Sequence, residues 1–472
     1  MPKGRRARSA SGLRWTVPRP PGSKPLYRAV DHGKAIILRQ ADFAPASRSG
    51  GWGTFAESFI RMNEKALRAL DVSPSIAAAS PEPTIHLTPG RCAGAIPLRS
   101  AQTGTVVAGL LVQPRFGWSG VGQIMVESGW SAAPEFLELP LVPGSARDVP
   151  PWVLAGPVLA RLAALLKSVT KGYEDREVEL QRPRGRILWK RYLRESLATG
   201  AWHHLPCRFS DLTNDPFLRR ALRWTLERVR HELVNVGGSD LVAAHLAHVA
   251  HLLLETLRGV LPEKPRSDTL GRLLAGRMTS CEGRQGLEAI LWVVDERGLG
   301  GGRELDGLSW QLALENLWEQ YVESVIRREV AAEGGEVLVG RLGQTVFPLN
   351  WTDSGNRSMR HLVPDIVVRR GKSVRIIDAK YKAHLADVEE QGWWALSEDV
   401  KAAHRADLHQ VLAYASLYDA DVLTATLAYP LRRSVWQSLK MTGRDVTRAE
   451  LTRGGRSITL ELRGIPFGRL AA

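Results

Sequence analysis

Val363-Pro-Asp-Ile-Val-Val-Arg-Arg-Gly-Lys-Ser-Val-Arg-Ile-Ile-Asp-Ala-Lys380 decides how the C-terminal part of this chain folds. Two apolar runs flank Arg370–Ser373, where Gly371 supplies a turn, so the spacing predicts a β-hairpin. With the turn centred between Gly371 and Lys372, Ile366 faces Ile377, Val367 faces Ile376, Arg369 faces Val374 and Asp365 faces Asp378. Side chains alternate along a strand, so Lys380, two beyond Asp378, points the same way as both acids. Apolar residues on both faces of both strands place the hairpin inside a sheet. Directly opposed like charges are destabilising. Burial raises the proton affinity of two such acids unless a cation sits between them. A hard divalent ion with oxygen ligands, Mg2+ first, resolves the conflict. Lys380 beside it is placed to orient or deprotonate an attacking water, or to stabilise developing charge. These are the parts that metal-assisted phosphodiester hydrolysis requires. The plain alternative is a surface hairpin with an Asp–Lys ion pair, which is worth little in water. The symmetric register and the two-sided apolar pattern favour a site, because unpaired buried charge is expensive.

Around the hairpin, a long amphipathic helix is expected over Leu312–Val330. Strands are expected at Val337–Val339, Val346–Leu349, Val422–Tyr429 and Ser457–Leu462, with a second helix at Asp407–Tyr418. That order suggests a mixed sheet flanked by helices. Upstream, Val158, Leu159, Leu162, Leu165 and Leu166 form a helical stripe. Arg182 to Arg230 holds twelve Lys or Arg against four acids. Within it, Leu212–Pro216 reads as a helix start capped by Thr213 or Asn214. Residues 31 to about 145 look β-rich, with Ser73–Pro83 as a connection and Pro140–Pro151 as a linker. Residues 1–30 carry eight Lys or Arg and no acid. Such an arm does not fold alone, and serves either to track phosphates or to solubilise. The expected class is α+β and multidomain. It comprises a disordered arm (1–30), a β-rich region (31–150), a helical middle domain (151–305) and an α/β domain (306–472).

The chain has 472 residues, 64 basic and 49 acidic, for a net charge of +15, and 44% are hydrophobic. The apolar content excludes a wholly disordered chain, and a pI near 10.0 calls for an anionic partner. Cys92, Cys207 and Cys281 form no CxxC pair, so a zinc ribbon and a disulfide framework are excluded and a reducing cytosol is the simplest setting. The best apolar run, Val153–Leu166, is interrupted by Arg161 and is too short for a membrane span. A soluble, cytoplasmic protein without membrane contact is expected. Gly298-Leu-Gly-Gly-Gly302 lacks a phosphate-loop pattern. His203, His204 and His231 lack metal spacing, and no Gly-x-Ser-x-Gly elbow occurs.

Pro364-Asp365 with Asp378-Ala379-Lys380 resembles the PD-(D/E)xK nuclease motif. Ile377-Asp-Ala-Lys-Tyr-Lys382, Asp407-Leu-His-Gln-Val-Leu-Ala-Tyr414 and Leu427-Ala-Tyr-Pro430 resemble McrC, the nuclease subunit of the McrBC modification-dependent restriction systems. Pro183-Arg-Gly-Arg-Ile187, Leu205-Pro-Cys-Arg-Phe209 and Leu212-Thr-Asn-Asp-Pro-Phe-Leu-Arg-Arg-Ala-Leu222 are similar to that family's middle region. Cys92-Ala-Gly-Ala-Ile96 through Leu110-Leu-Val-Gln-Pro-Arg115 is similar to its N-terminal region. The resemblance spans about residues 90–435 in order and implies a PD-(D/E)xK restriction-endonuclease-like core that cuts DNA with Mg2+. By that resemblance Asp365, Asp378, Glu319 and the Ala379 carbonyl hold the metal, with Lys380 beside the water. Glu319 follows from the family's Leu-Phe-Glu pattern falling on Leu317-Trp318-Glu319, and Glu315, one turn earlier, is its competitor. Gln410 is implied to orient Lys380 or to contact the DNA backbone, with Tyr414 one turn on. The implied partner is an McrB-like AAA+ GTPase hexamer, which the N-terminal portion enters and stimulates. Target choice, often modified cytosine, then belongs to the partner. The alternatives are a stand-alone repair or defence nuclease, and a non-catalytic activator of a partner NTPase. Trp393-Trp394 has no counterpart in the resemblance, and packing is its default role.

Overall fold

The predicted hairpin forms in the predicted register. In a computed structural model of the protein, residues 24–39, 42, 52–78, 83–130, 132–145, 148–169, 173–212, 216–235, 240–275, 280–295, 306–351, 359–453 and 456–468 are described. Ile366 pairs with Ile377, Val367 with Ile376 and Arg369 with Val374. Gly371 adopts φ 56° at the turn, a conformation that costs glycine little.

The N-terminal part carries β1 (Leu26–Val30), β2 (Ile36–Leu38), α1 (Trp52–Ala69), β3 (Val72–Ala77), β4 (Thr84–Pro89), β5 (Cys92–Arg99), β6 (Val106–Gln113), α2 (Trp118–Glu127) and β7 (Glu135–Phe136). Next come α3 (Pro151–Val169), β8 (Tyr173–Leu180), β9 (Arg186–Ile187), α4 (Trp189–Arg191, continued by a wider turn to Leu197) and β10 (Leu205–Leu212). They are followed by α5 (Pro216–Asn235), α6 (Leu241–Glu255), α7 (Ser267–Ala275) and α8 (Cys281–Val294). The last part holds β11 (Trp310–Ala313), α9 (Leu314–Glu333), β12 (Glu336–Val339), β13 (Phe347–Pro348), β14 (His361–Leu362), β15 (Ile366–Arg370) and β16 (Ser373–Ala379). It ends with α10 (His384–Gln391), α11 (Glu398–Ala415), β17 (Val422–Leu431), α12 (Arg433–Met441), β18 (Val446–Arg453) and β19 (Arg456–Pro466).

The central sheet has the order β12-β15-β16-β17-β19-β18. Its middle strands β16, β17 and β19 run parallel, and its flanking pairs are antiparallel. Both of its faces are covered, as the two-sided apolar pattern requires. Ile366 and Ile377 join a core with Leu317, Tyr321 and Val322 of α9. Val367 and Ile376 join another with Val411, Tyr414 and Ala415 of α11.

Several expectations give way. The arm expected at 1–30 ends in structure: β1 pairs parallel to β6 inside the five-stranded sheet β1-β6-β5-β11-β7. Residues 1–23 lie outside the described residues, as do Thr213, Asn214 and the Gly298–Gly302 stretch. The first five residues of Ser73–Pro83 are no connection, because they belong to β3, which pairs with β4. The β-rich region also contains α1, whose Phe55, Phe59 and Leu67 fill a small core under β2-β4-β3. In the helical middle region β8, β10 and β9 form a sheet. The charged sequence of β8, Tyr-Glu-Asp-Arg-Glu-Val-Glu-Leu, carries no apolar alternation to reveal it.

Strand β11 begins where a helix was expected, and it pairs with β5 of the N-terminal sheet. The expected linker is pinned by a bridge between Val142 and Gly307. One apolar core contains Leu26, Trp152, Leu226, Trp318, Ile377 and Phe467 and so crosses the expected boundaries at 150 and 305. Helix α3, expected to be too short for a bilayer, is long and apolar enough to cross one by length and composition. In this fold it packs against α5, α6 and α8 instead.

Candidate active site at the strand ends

Asp365 stands just before β15. Its backbone is held from two sides: the Gly340 N–H donates to Asp365 O at 2.8 Å, and Thr345 Oγ1 donates to Pro364 O at 2.6 Å. Any Cβ on Gly340 would lie 2.6 Å from Pro364 O, so the close approach requires glycine there. Asp365 Oδ2 accepts the Ala379 N–H at 2.8 Å, across the open end of the hairpin. Asp378 is 1% exposed. The next backbone amide but one, Lys380 N–H, donates to Ala428 O of β17 at 2.9 Å and fixes the strand end. Lys380 Nζ lies 2.7 Å from Asp378 Oδ2 and donates to Gln410 Oε1 at 2.9 Å. Gln410 Nε2 in turn donates to the Tyr414 hydroxyl at 2.9 Å. The Lys380 contact with Asp378 is an ion pair without hydrogen-bond directionality. Both Asp378 oxygens thus lack a hydrogen-bond partner among the described residues.

The parity of β16 puts Asp378 and Lys380 on the face covered by α11, where Gln410 lies. Helix α9 covers the other face. Along α9, Glu315, Glu319 and Glu323 recur one turn apart. Glu315 pairs with Arg91 at 2.8 Å. Glu323 is held by Arg327 and Arg341 at 2.8 and 2.7 Å. Glu319 makes no ion pair among the described residues and is the member of the three whose charge Asp365 feels. Of the two candidates, Glu315 is thus engaged by Arg91 and Glu319 is the one that bears on Asp365. The expected ligand set is nevertheless not closed. Among the described residues no three His, Cys, Asp or Glu side chains come together to hold a metal ion. Glu319 springs from α9, which packs on the other face of the sheet, yet its charge is felt by Asp365.

The electrostatics follow from burial. Desolvation pushes the Asp365 carboxyl well above the usual aspartate value of 3.8, facing Asp378 and then Glu319 raise it further, and the Ala379 N–H pulls it back. Desolvation also raises Glu319, against the pull of Arg341. Burial disfavours the Lys380 ammonium, but the Asp378 carboxylate outweighs it and holds the amine above its usual range. Mg2+ is commonly bound by one or two carboxylates and keeps several waters. Asp365, Asp378 with its Oδ1 free of hydrogen bonds among the described residues, and the Ala379 carbonyl suit that ion without a third side chain.

One consequence is measurable. Because Asp365 binds its proton more tightly in the folded chain than in the unfolded one, it favours folding below the ordinary aspartate value. That contribution is lost as pH rises through the raised folded value. A divalent ion that binds the folded state offsets the loss, by about 2.7 kcal/mol at 100 times its Kd. Mg2+ should therefore raise Tm at about pH 8 and leave it unchanged at about pH 4, where protons compete. Equal shifts at both pH values would count against an ion between these acids.

Sequence reasoning missed Asp407 as a site member, although it opens a quoted motif. It is 3% exposed, accepts Lys382 Nζ at 2.7 and 2.9 Å, and lies 4.0 Å from Lys380 Nζ. His384 Nδ1 is 3.6 Å from its other side. Burial alone would raise Asp407, but the His384 and Lys382 contacts keep its carboxyl below the usual range. Asp407, Gln410 and Tyr414 occur three and four residues apart on α11, a helical stripe aimed at both lysines. Of the tryptophan pair, Trp393 packs edge-on against His404 at 5.6 Å. Trp394 is 89% exposed, which departs from the packing expectation.

The fold and site thus define a multidomain α+β protein with a buried, acid-rich strand-end site gripped by one lysine. Comparison with known proteins makes this more specific. The family described as McrBC 5-methylcytosine restriction system component matches residues 153–430, more than half of the chain. The chain belongs to that family. No curated protein matches it. Among solved structures it is similar to a refined half-complex from the tetradecameric assembly of Thermococcus gammatolerans McrB AAA+ hexamers with bound McrC. The identity is 13% over 94% of this chain and 96% of that one, with a TM-score of 0.43. It is also similar to a chain of the Thermococcus gammatolerans McrBC complex, at 12% identity over 65% of this chain and 88% of that one, with a TM-score of 0.26.

Proposed function

We propose that this chain is the McrC-type nuclease subunit of an McrBC restriction system, a cytoplasmic Mg2+-dependent DNA endonuclease that works with an AAA+ GTPase hexamer. The carrying observation is the pair of half-buried Asp365 and buried Asp378 at one strand end, with Lys380 against Asp378, in a chain of this family. Residues 306–472, read as a PD-(D/E)xK core, carry the chemistry. Asp365, Asp378 and the Ala379 carbonyl would hold the ion, with Glu319 behind them. When bound, Mg2+ supplies a Lewis acid for the scissile phosphodiester. Asp378 and Gln410 hold the Lys380 ammonium in one place, where it faces negative charge developing on the phosphate oxygens. The ion pair with Asp378 favours the charged amine, which suits Lys380 to act as a cation and hydrogen-bond donor.

The test is a cleavage assay with the full chain, Mg2+, GTP, and DNA with and without 5-methylcytosine, in the presence and absence of the cognate AAA+ GTPase. Cleavage is expected only with the ring, GTP and Mg2+ together. Equal cleavage by the chain alone would remove the partner from the proposal, and no cleavage under any combination would remove the nuclease.

A further inference from the structure

Directly after Lys380 the chain places Tyr381, which is 1% exposed. Its neighbours come from the opposite end of the sequence. Arg115, just past β6, donates from Nη2 to Tyr381 O at 2.9 Å. Its guanidinium lies over the Tyr381 ring at 4.5 Å and over Phe116 at 5.1 Å. Asp31, just past β1, has a fully buried side chain; it accepts the Arg115 backbone N–H and places Oδ2 3.4 Å from Arg115 Nε. Strands β1 and β6 are paired, so Asp31 and Arg115 leave the N-terminal sheet side by side. Behind them Phe116 stacks on Phe467 at 4.6 Å, and Phe467 on Trp318 at 5.8 Å. Trp318 Nε1 donates to Ala428 O, the carbonyl that also accepts the Lys380 N–H.

We infer that Arg115 is a positioning residue: anchored by Asp31, it clamps Tyr381 and so fixes the adjacent Lys380, tying the N-terminal sheet mechanically to the strand-end site. The inference rests on the nuclease assignment for its catalytic readout but not for its structural one. The guanidinium grips both the backbone carbonyl and the ring of Tyr381, so it restrains the residue next to Lys380 at its ring and at the peptide that leads on to Lys382. The alternation of side chains does the rest. With Tyr381 held on one side of the strand, Lys380 is directed to the other, toward Asp378 and Gln410. An arginine fork does this in a way an ammonium cannot, because it hydrogen-bonds and stacks at once. Movement of the β1 and β6 ends would be transmitted to Lys380 through Arg115, with His32 and Phe116 also against the Tyr381 ring.

Two measurements on the full chain decide it. In hydrogen exchange, Arg115→Ala should speed exchange of the Ala379 and Lys380 amides while leaving the β17 and β19 amides at parental rates. In cleavage with the complete system, the same variant should lose about 100-fold in kcat, the usual cost of about 1 Å of misplacement, with KM within about twofold. Arg115→Lys should recover part of the loss. On a Lys380→Ala background Arg115→Ala should add nothing further, because both act through one group. Unchanged exchange at residues 379–380 overturns the clamp whether or not the chain cleaves DNA. An additive loss on the Lys380→Ala background overturns the route through Lys380. Absence of cleavage by the parental system sinks the nuclease assignment instead, and the exchange result still decides the clamp.

Discussion

Replacing Asp378 with asparagine is expected to lower Mg2+-dependent cleavage about 1000-fold or more while leaving the chain folded. Lewis-acid stabilisation is worth several kcal/mol, and each ~1.4 kcal/mol is a factor of ten in rate. The amide side chain would keep the shape but lose the anionic donor that helps to hold the ion. The stability half of the expectation comes from the geometry. Asp378 is 1% exposed and its oxygens accept no hydrogen bond among the described residues. Its charge also raises the proton affinity of Asp365. Removing this charge relieves Asp365 but takes the carboxylate from the Lys380 ammonium, so the two effects oppose each other, and the amide can still turn its oxygen to Lys380. Two readouts check this together: cleavage under saturating Mg2+, and thermal unfolding in EDTA. Parental cleavage by Asp378→Asn would end the catalytic assignment. A collapse of Tm would show that the carboxylate holds the fold rather than serves chemistry.

Lys380→Ala is expected to cost about 100- to 10,000-fold in the cleavage step, the range for removing a positioned proton-transfer or charge-stabilising group. Lys380→Arg should retain more than Lys380→Ala, because the ammonium acts by its charge, and Asp378 and Gln410 remain to receive a guanidinium. If the lysine were a base, arginine would be as inactive as alanine. Single-turnover cleavage by the three proteins separates the cases, and equal rates for Lys380→Ala and the parent would exclude any role. Asp407 limits the interpretation in a useful way. It neutralises Lys382 at 2.7 Å, so Lys382 is a poor substitute for a missing Lys380.

Local alternation made much of this legible. The hairpin register, the opposition of Asp365 and Asp378, the shared face with Lys380 and the two apolar faces all depend on residues within a few positions of one another. A period of two is a geometric necessity of an extended chain. The contact between Lys380 and Gln410 was legible only through the motif resemblance, since α11 is brought over β16 by packing of Val411 and Ala415 that no local spacing predicts. The charged strand β8 and the edge strand β18 were illegible for the opposite reason. Their stability comes from backbone pairing and cross-strand ion pairs such as Arg448 with Glu461 at 3.0 Å, not from an apolar rhythm.

By itself the sequence determined the chemistry at the strand end: which acids oppose each other, which lysine joins them, and the basic, apolar-cored character of the chain. Tertiary structure alone decided the rest. It committed Glu315 to Arg91 and Glu323 to Arg327 and Arg341, and left Glu319 without an ion pair among the described residues. It brought Asp407 to the lysines, returned β11 to the N-terminal sheet, and set Arg115 against Tyr381 across 266 positions of sequence. Strand parity acts between neighbours, whereas ion pairing and burial act between whatever surfaces the folded chain presses together.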